Sequence, residues 1–139
     1  CLAIENHDRF TSLALERIIK ETDSTIVGIC FDTANSLGAL EGPYETIKIL
    51  APYTFNLHIK DIRIARLNHK MGFAIEGCAA GDGMLNIPWI IEYVRKYGKC
   101  KTAMLEVWSN PEKTIEQTII NERDLVNKSL QYLKKYFHD

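Results

Sequence analysis

The chain lacks an excess of charge of either sign: 17 Lys and Arg stand against 18 Asp and Glu, the net charge is −1, and no basic block occurs. Tight electrostatic binding to nucleic acid or to an anionic membrane is therefore not indicated. No apolar run approaches the roughly 20 residues needed to cross a bilayer, and no signal-peptide pattern is visible. The four cysteines, Cys1, Cys30, Cys78 and Cys100, contain no C-x-x-C pair. Such spacing reads as reduced thiols of a cytoplasmic protein rather than as zinc ligands or a disulfide framework. An initiating Met is absent, and Cys1 opens almost directly into an apolar run. A native domain rarely begins inside its core, so the chain reads as the C-terminal part of a longer protein.

What is present is a repeated alternation. Short apolar runs at 2–5, 25–31, 54–59 and 102–106 read as buried strands. Segments with helical periodicity follow them: Phe10 to Lys20, with Leu13, Ile18 and Ile19 as apolar positions and Thr11 or Ser12 as N-cap; Tyr44 to Leu50; Pro88 to Tyr97, closed by Gly98; and Thr114 to Tyr136. The stretch from Ala34 to Pro43 reads as a loop. Residues 62–85, with Gly72, Gly77, Gly81 and Gly83, read as a long functional loop in which M-G-F-A-I-E forms a small extra strand.

The order β-α-β-α-β-α-β-α implies an α/β fold with a parallel sheet and right-handed crossovers. An open doubly wound sheet would show a glycine-rich phosphate turn after its first strand. Here that turn reads E-N-H-D-R-F, with no glycine. A (β/α)8 TIM barrel uses about 250 residues and carries its site at the C-terminal strand ends. Four βα units in 139 residues match half of one, with residues 2–6 and 102–107 at the two edges of the sheet.

Each of the four runs ends in a metal-binding type of residue: L-A-I-Glu5, V-G-I-C-F-Asp32, F-N-L-His58 and A-M-L-Glu106. Side chains alternate across a strand. The ligand-type residues share their face with Ala3, Cys30, Gly28, Asn56 and Met104, while Ile4, Ile29, Phe31, Leu57, Ile59 and Leu105 face the other way, toward a helical layer. Parallel strands bring their C-terminal ends to one rim, so Glu5, Asp32, His58 and Glu106 are expected to converge. Three carboxylates and one imidazole suit Mn²⁺ or Mg²⁺, with Co²⁺ acceptable and thiolate-rich zinc unsuited. Around them, Lys60 shares parity with His58, His7 with Glu5, and Asn35 lies three residues after Asp32. These three, with Arg66, are candidate substrate-binding residues. Asp61 is a candidate to orient a ligand, and Trp108 to wall the pocket.

In this order the motifs L-A-I-E-N-H at 2–7, V-G-I-C-F-D-T-A-N-S at 27–36, H-I-K-D at 58–61, M-G-F-A-I-E-G at 71–77, G-D-G at 81–83 and L-E-V-W at 105–108 resemble those of the sugar phosphate isomerase/epimerase superfamily, the xylose isomerase-like barrels. The resemblance spans nearly the whole chain and corresponds to the family's second half. It implies Glu5, Asp32, His58 and Glu106 as ligands of one divalent metal, with Glu5 and Glu106 also the catalytic acid/base pair. The implied reaction is proton transfer next to a carbonyl through a cis-enediolate, isomerising or epimerising a sugar or sugar phosphate. A lyase, dehydratase or decarboxylase of a keto-sugar acid, shares that intermediate. Asn35 stands where many relatives have His, which argues against the trinuclear zinc site of the related DNA-repair endonucleases. A non-catalytic barrel fragment is the competing class. The implied partners are a small carbohydrate, and either a missing N-terminal half-barrel or a second copy in a homo-oligomer.

Overall fold

The computed structural model describes residues 1–23, 25–97 and 99–137, and the chain divides into two compact units, Cys1–Ile59 with Pro88–Met104, and Lys60–Ile87 with Leu105–Asp139.

The first unit is built on a parallel sheet. Its strands are β1 (Leu2–Glu5), β2 (Val27–Asp32), β3 (Thr54–Ile59) and β6 (Thr102–Leu105), in the spatial order β1-β2-β3-β6. β1 pairs with β2 and β2 with β3, both parallel, and β6 lies beside β3. β1 and β6 are thus the edges, as expected from the strand order. The residues assigned to the helical side are buried where the strands are central: Ile29 and Phe31 on β2, Leu57 and Ile59 on β3. On the edge strand β1 burial fails at its first residue, where Leu2 is more than half exposed.

Helices α1 (Ser12–Lys20), α2 (Pro43–Leu50) and α3 (Ile87–Lys96, in this unit from Pro88) supply the covering layer. α1 begins where Thr11 accepts a hydrogen bond from the Ala14 N–H, which satisfies one of the orphan donors of the first turn. Arg17 and Lys20 in its last turn complement the helix dipole. Its buried stripe is Ser12, Leu15 and Ile19, at helical spacing. Leu13 and Ile18 lie off that stripe and are exposed, so of the apolar positions read from sequence only Ile19 reaches the core. α2 starts on Pro43, whose missing N–H costs nothing there, and buries Ile47 and Leu50. α3 buries Ile90, Ile91 and Val94, again at helical spacing. Pro88 sits in its first turn, as expected. Gly98, read as its C-terminal stop, lies outside the described residues. The stretch after β2 is a 3-10 turn over Asn35–Ala39, not an irregular loop.

The second unit corrects the reading of 62–85 as a loop. β4 (Asp61–Arg66) and β5 (Phe73–Cys78) form an antiparallel hairpin with Ile64 opposite Ile75. The extra strand expected within M-G-F-A-I-E is β5, shifted by two residues. Its partner β4 was hidden because both strands are largely exposed, so neither carries a continuous apolar run. α4 (Ile115–Leu133) is capped by Thr114, which accepts from the Gln117 N–H, and buries Ser129 and Leu133. Its N-terminal apolar residues Ile115 and Ile119 are exposed.

All four cysteines are free thiols, Cys30 and Cys78 buried among them. No described helix is long and apolar enough to cross a membrane. Burial, reinforced by the nearby Asp61 carboxylate, pushes the Cys78 thiol up to about 11. A raised value means less thiolate at any given pH. At pH 8 about one molecule in 10³ is the reactive thiolate, against roughly a quarter for an unperturbed thiol. Alkylation of Cys78 by iodoacetamide at pH 8 should therefore run about 100-fold slower in the folded protein than after unfolding. Peptide mapping of labelled protein measures this, and rates within threefold would contradict the assignment.

Candidate metal centre

In the first unit the register of the sheet sets the site. Asp32, the last residue of β2, pairs directly with His58 near the end of β3, and Glu5, the last residue of β1, pairs with Cys30. Side chains two apart share a face, so Glu5, Asp32 and His58 emerge together. One ligand atom from each lies within 4.8 Å of the others.

Asp32 is fully buried. Its Oδ1 accepts hydrogen bonds from the backbone N–H of Ala34 and of Asn35, both at 2.9 Å. These bonds start the 3-10 turn and fix the carboxylate's direction. The strand end itself is held by Asn6, which is 2% exposed. Its Oδ1 accepts from the Asp32 N–H at 2.6 Å and its Nδ2 donates to the Asp32 carbonyl at 2.9 Å, so a side-chain amide stands in for a missing strand. Sequence reasoning missed Asn6.

Glu5 Oε1 accepts from Asn35 Nδ2 at 3.1 Å and stands 3.3 Å from His58 Nδ1. Against an ionised carboxylate the proton of a neutral ring sits on Nδ1, which puts the ring's lone pair on Nε2. His58 and Glu5 side chains are 17% and 33% exposed. Asn35 thus joins the cluster, as read from its spacing to Asp32. His7 is exposed and pairs with its neighbour Asp8 at 3.5 Å.

In the second unit Lys60, only 3% exposed, places Nζ 2.8 Å from Glu106 Oε1 and 4.8 Å from the centroid of the Trp108 ring. Trp108 presses against β5: a Cβ built on Gly77 would lie 2.3 Å from the Trp108 carbonyl oxygen. Gly77 is the residue type that this approach requires. Asp61 does not orient a ligand side chain in this unit. Its buried carboxylate accepts from the backbone N–H groups of Ile62, Gly81, Gly83 and Leu85, at 2.9, 2.9, 3.0 and 3.2 Å. It anchors the G-D-G turn, where Gly81 has φ +90°. Arg66 is committed to the hairpin tip, donating to the Lys70 carbonyl at 3.0 Å and lying 4.6 Å over the Phe73 ring.

A cavity of about 610 Å³ lies elsewhere, against the first residues of the strands, lined by residues that include Ala3, Phe55, Asn56 and Thr102. It holds none of the candidate ligands.

Residues 2–136 match the family model described as xylose isomerase-like TIM barrel. The chain belongs to that family. Over 132 residues it is 31% identical to 3-oxo-isoapionate decarboxylase of Pectobacterium atrosepticum, covering 95% of this chain and 48% of that enzyme. Over 135 residues it is 25% identical to inosose dehydratase of Clostridium botulinum, covering 90% of this chain and 43% of the enzyme. The fold is shared with a xylose isomerase-like TIM barrel protein from Mycobacterium smegmatis solved in complex with magnesium. The TM-score is 0.63 at 18% identity, over 95% of this chain and 44% of that one. The chain spans about half the length of the curated relatives it matches. Members of this family are enzymes, and the parallel sheet with its helices described above is part of its α/β barrel fold.

Asn6 carries a prediction about the site's scaffold. Asn6→Ala leaves the buried Asp32 N–H and carbonyl without their side-chain partner, at a cost of about 1–3 kcal/mol in unfolding free energy. Urea denaturation of the full-length protein measures it. A loss below about 0.5 kcal/mol would show that Asn6 does not hold the strand end.

Proposed function

We propose that Glu5, Asp32, His58 and Glu106 hold one divalent cation, and that the full-length protein, whose barrel this chain supplies as its C-terminal half, is a metal-dependent carbohydrate isomerase or epimerase. The observation that carries the reading is the Glu5, Asp32 and His58 cluster at the ends of adjacent parallel strands, where barrel enzymes carry their chemistry. Glu106 is taken as the fourth ligand because it directly follows β6, the strand beside β3. The donor set fits the metal: oxygen ligands with one imidazole and no thiolate suit Mg²⁺ or Mn²⁺. The magnesium complex of the related barrel is in keeping with this.

A bound divalent cation supplies Lewis-acid polarisation of a substrate carbonyl and its neighbouring hydroxyl. The remaining chemistry belongs to the side chains. Glu106 takes the proton from the carbon next to the carbonyl, which leaves the substrate as a cis-enediolate. Glu5 delivers a proton to the opposite face, giving the epimer, or to the adjacent carbon, giving the isomer. Asn35, bonded to Glu5, holds that carboxylate in place. The substrate is a small polyhydroxylated carbonyl compound.

A lyase is the second reading, favoured by the similarity to a decarboxylase and a dehydratase. Expulsion of a hydroxide next to the enediolate gives a dehydrated product. Cleavage of a carbon–carbon bond to a carboxylate releases CO₂ and leaves its electron pair in the same enediolate, which then takes up a proton.

Full-length protein with Mn²⁺ should exchange the substrate α-proton for solvent deuterium across a panel of ketoses, followed by NMR. Release of CO₂ or of a dehydrated product from keto-sugar acids, without net isomerisation, would move the assignment to the lyase. Absence of exchange and of both releases would refute the enediolate reading. Glu106→Gln should keep the fold and lower turnover by about 10²–10⁴-fold. Activity within tenfold of wild type would remove Glu106 as the essential base.

A further inference from the structure

Lys60 is an unusual residue to find buried, since an ammonium leaves water only at a substantial cost unless it is paired. Two contacts within its own unit bear on its role. Its Nζ lies 2.8 Å from Glu106 Oε1, and it stands 4.8 Å over the Trp108 ring. The backbone carbonyl and Cβ of Trp108 in turn approach Gly77 of the hairpin closely. The hairpin therefore packs against the tryptophan, the tryptophan flanks the lysine, and the lysine holds one oxygen of the glutamate. The pair is asymmetric: Lys60 is 3% exposed and Glu106 40%. The carboxylate stays partly exposed to solvent while its counter-ion is buried.

We propose that Lys60 is a positioning and charge-compensating residue for Glu106, one that lowers the affinity of the site for its divalent cation. The proposal rests on the reading of Glu106 as a metal ligand given above. Hard-cation affinity is set by the ligand charge count and by the rigidity of the site. Three carboxylates bring three negative charges, and the Lys60 ammonium cancels one of them at hydrogen-bond distance. It also repels a second cation from the same carboxylate. The charge effect and the orienting effect have opposite signs on removal. Loss of a partner that only orients a ligand weakens metal binding, typically by about 10–100-fold. Loss of a partner that cancels ligand charge strengthens it. Because Glu106 is partly solvated and can be held by water, the charge effect dominates here.

The test is calorimetric titration with Mn²⁺ alone, on full-length wild type, Lys60→Met and Lys60→Arg, each first shown to be folded by circular dichroism. Lys60→Met keeps the length and apolar stem of the side chain without its charge. It should bind Mn²⁺ about tenfold more tightly than wild type, and Lys60→Arg, which keeps the charge, should stay within about threefold. Tighter binding by Lys60→Met alone also supports the proposal if wild type is too weak to saturate. Unchanged or weaker binding by Lys60→Met, with wild type saturable, overturns the proposal and leaves the metal site standing. No saturable binding by any of the three overturns the metal site and the proposal together.

Discussion

The register between β2 and β3 is the constraint on which the candidate centre depends. Asp32 and His58 are direct cross-strand partners. A shift of one residue in either strand would turn one of them to the opposite face, since side chains alternate with a period of two. The register is secured by burial on the covered face, where Ile29, Phe31, Leu57 and Ile59 have no tolerance for exposure, and by polar ties at the strand ends. Asn6 grips both backbone groups of Asp32, and the Thr33 N–H donates to the His58 carbonyl at 3.2 Å. The apolar side of the sheet thus determines where the polar side presents its ligand-type groups.

Burying a carboxylate such as Asp32 is costly unless it is hydrogen-bonded, and the chain meets that cost with backbone. The N–H groups of Ala34 and Asn35 both point at Oδ1. Asp61 repeats the device on a larger scale with four backbone donors, and there the purpose is to shape a turn. The two aspartates look alike in sequence, each just past or at the end of an apolar run. Their partners separate them. Asp32 shares its cluster with Glu5 and His58, whereas Asp61 is enclosed by amides of its own unit.

Much of this was legible from period and position. The central strands, a cap at Thr11 or Ser12, the helix start near Thr114, Pro88 in the first turn of its helix and the parity of the buried side all follow from local rules, because each depends on residues a few positions apart. The hairpin was not legible, since I-R-I-A-R and F-A-I-E-G carry few buried positions and their pairing is a contact between segments. The glycines of 62–85 looked like those of a loop, yet Gly77 and Gly83 are there because Trp108 and Asp61 come within a Cβ's reach. Leu13 and Ile18 were read with Ile19 as the apolar positions of α1, and the helix in fact turns the Leu15 and Ile19 stripe inward. Asn6 escaped notice because its role is to imitate backbone, which no spacing rule encodes.

Exposure divides the proposed ligands into two kinds, and the division bears on their roles. Asp32 is sealed, and His58 nearly so at 17% side-chain exposure. Glu5 and Glu106 remain open at 33% and 40%. A group that only anchors a cation gains from being rigid and dry, because its hydrogen bonds then fix its direction. A group that passes protons to and from a substrate must present an oxygen to it. The two open carboxylates have different side-chain partners, Asn35 and His58 for Glu5 and Lys60 for Glu106. A buried ammonium holds its carboxylate more strongly than an amide does, and cancels its charge where the amide does not. Two glutamates treated so unequally suit a reaction that removes a proton at one face and returns it at another, and this inequality supports assigning the acid/base pair to Glu5 and Glu106 rather than to Asp32.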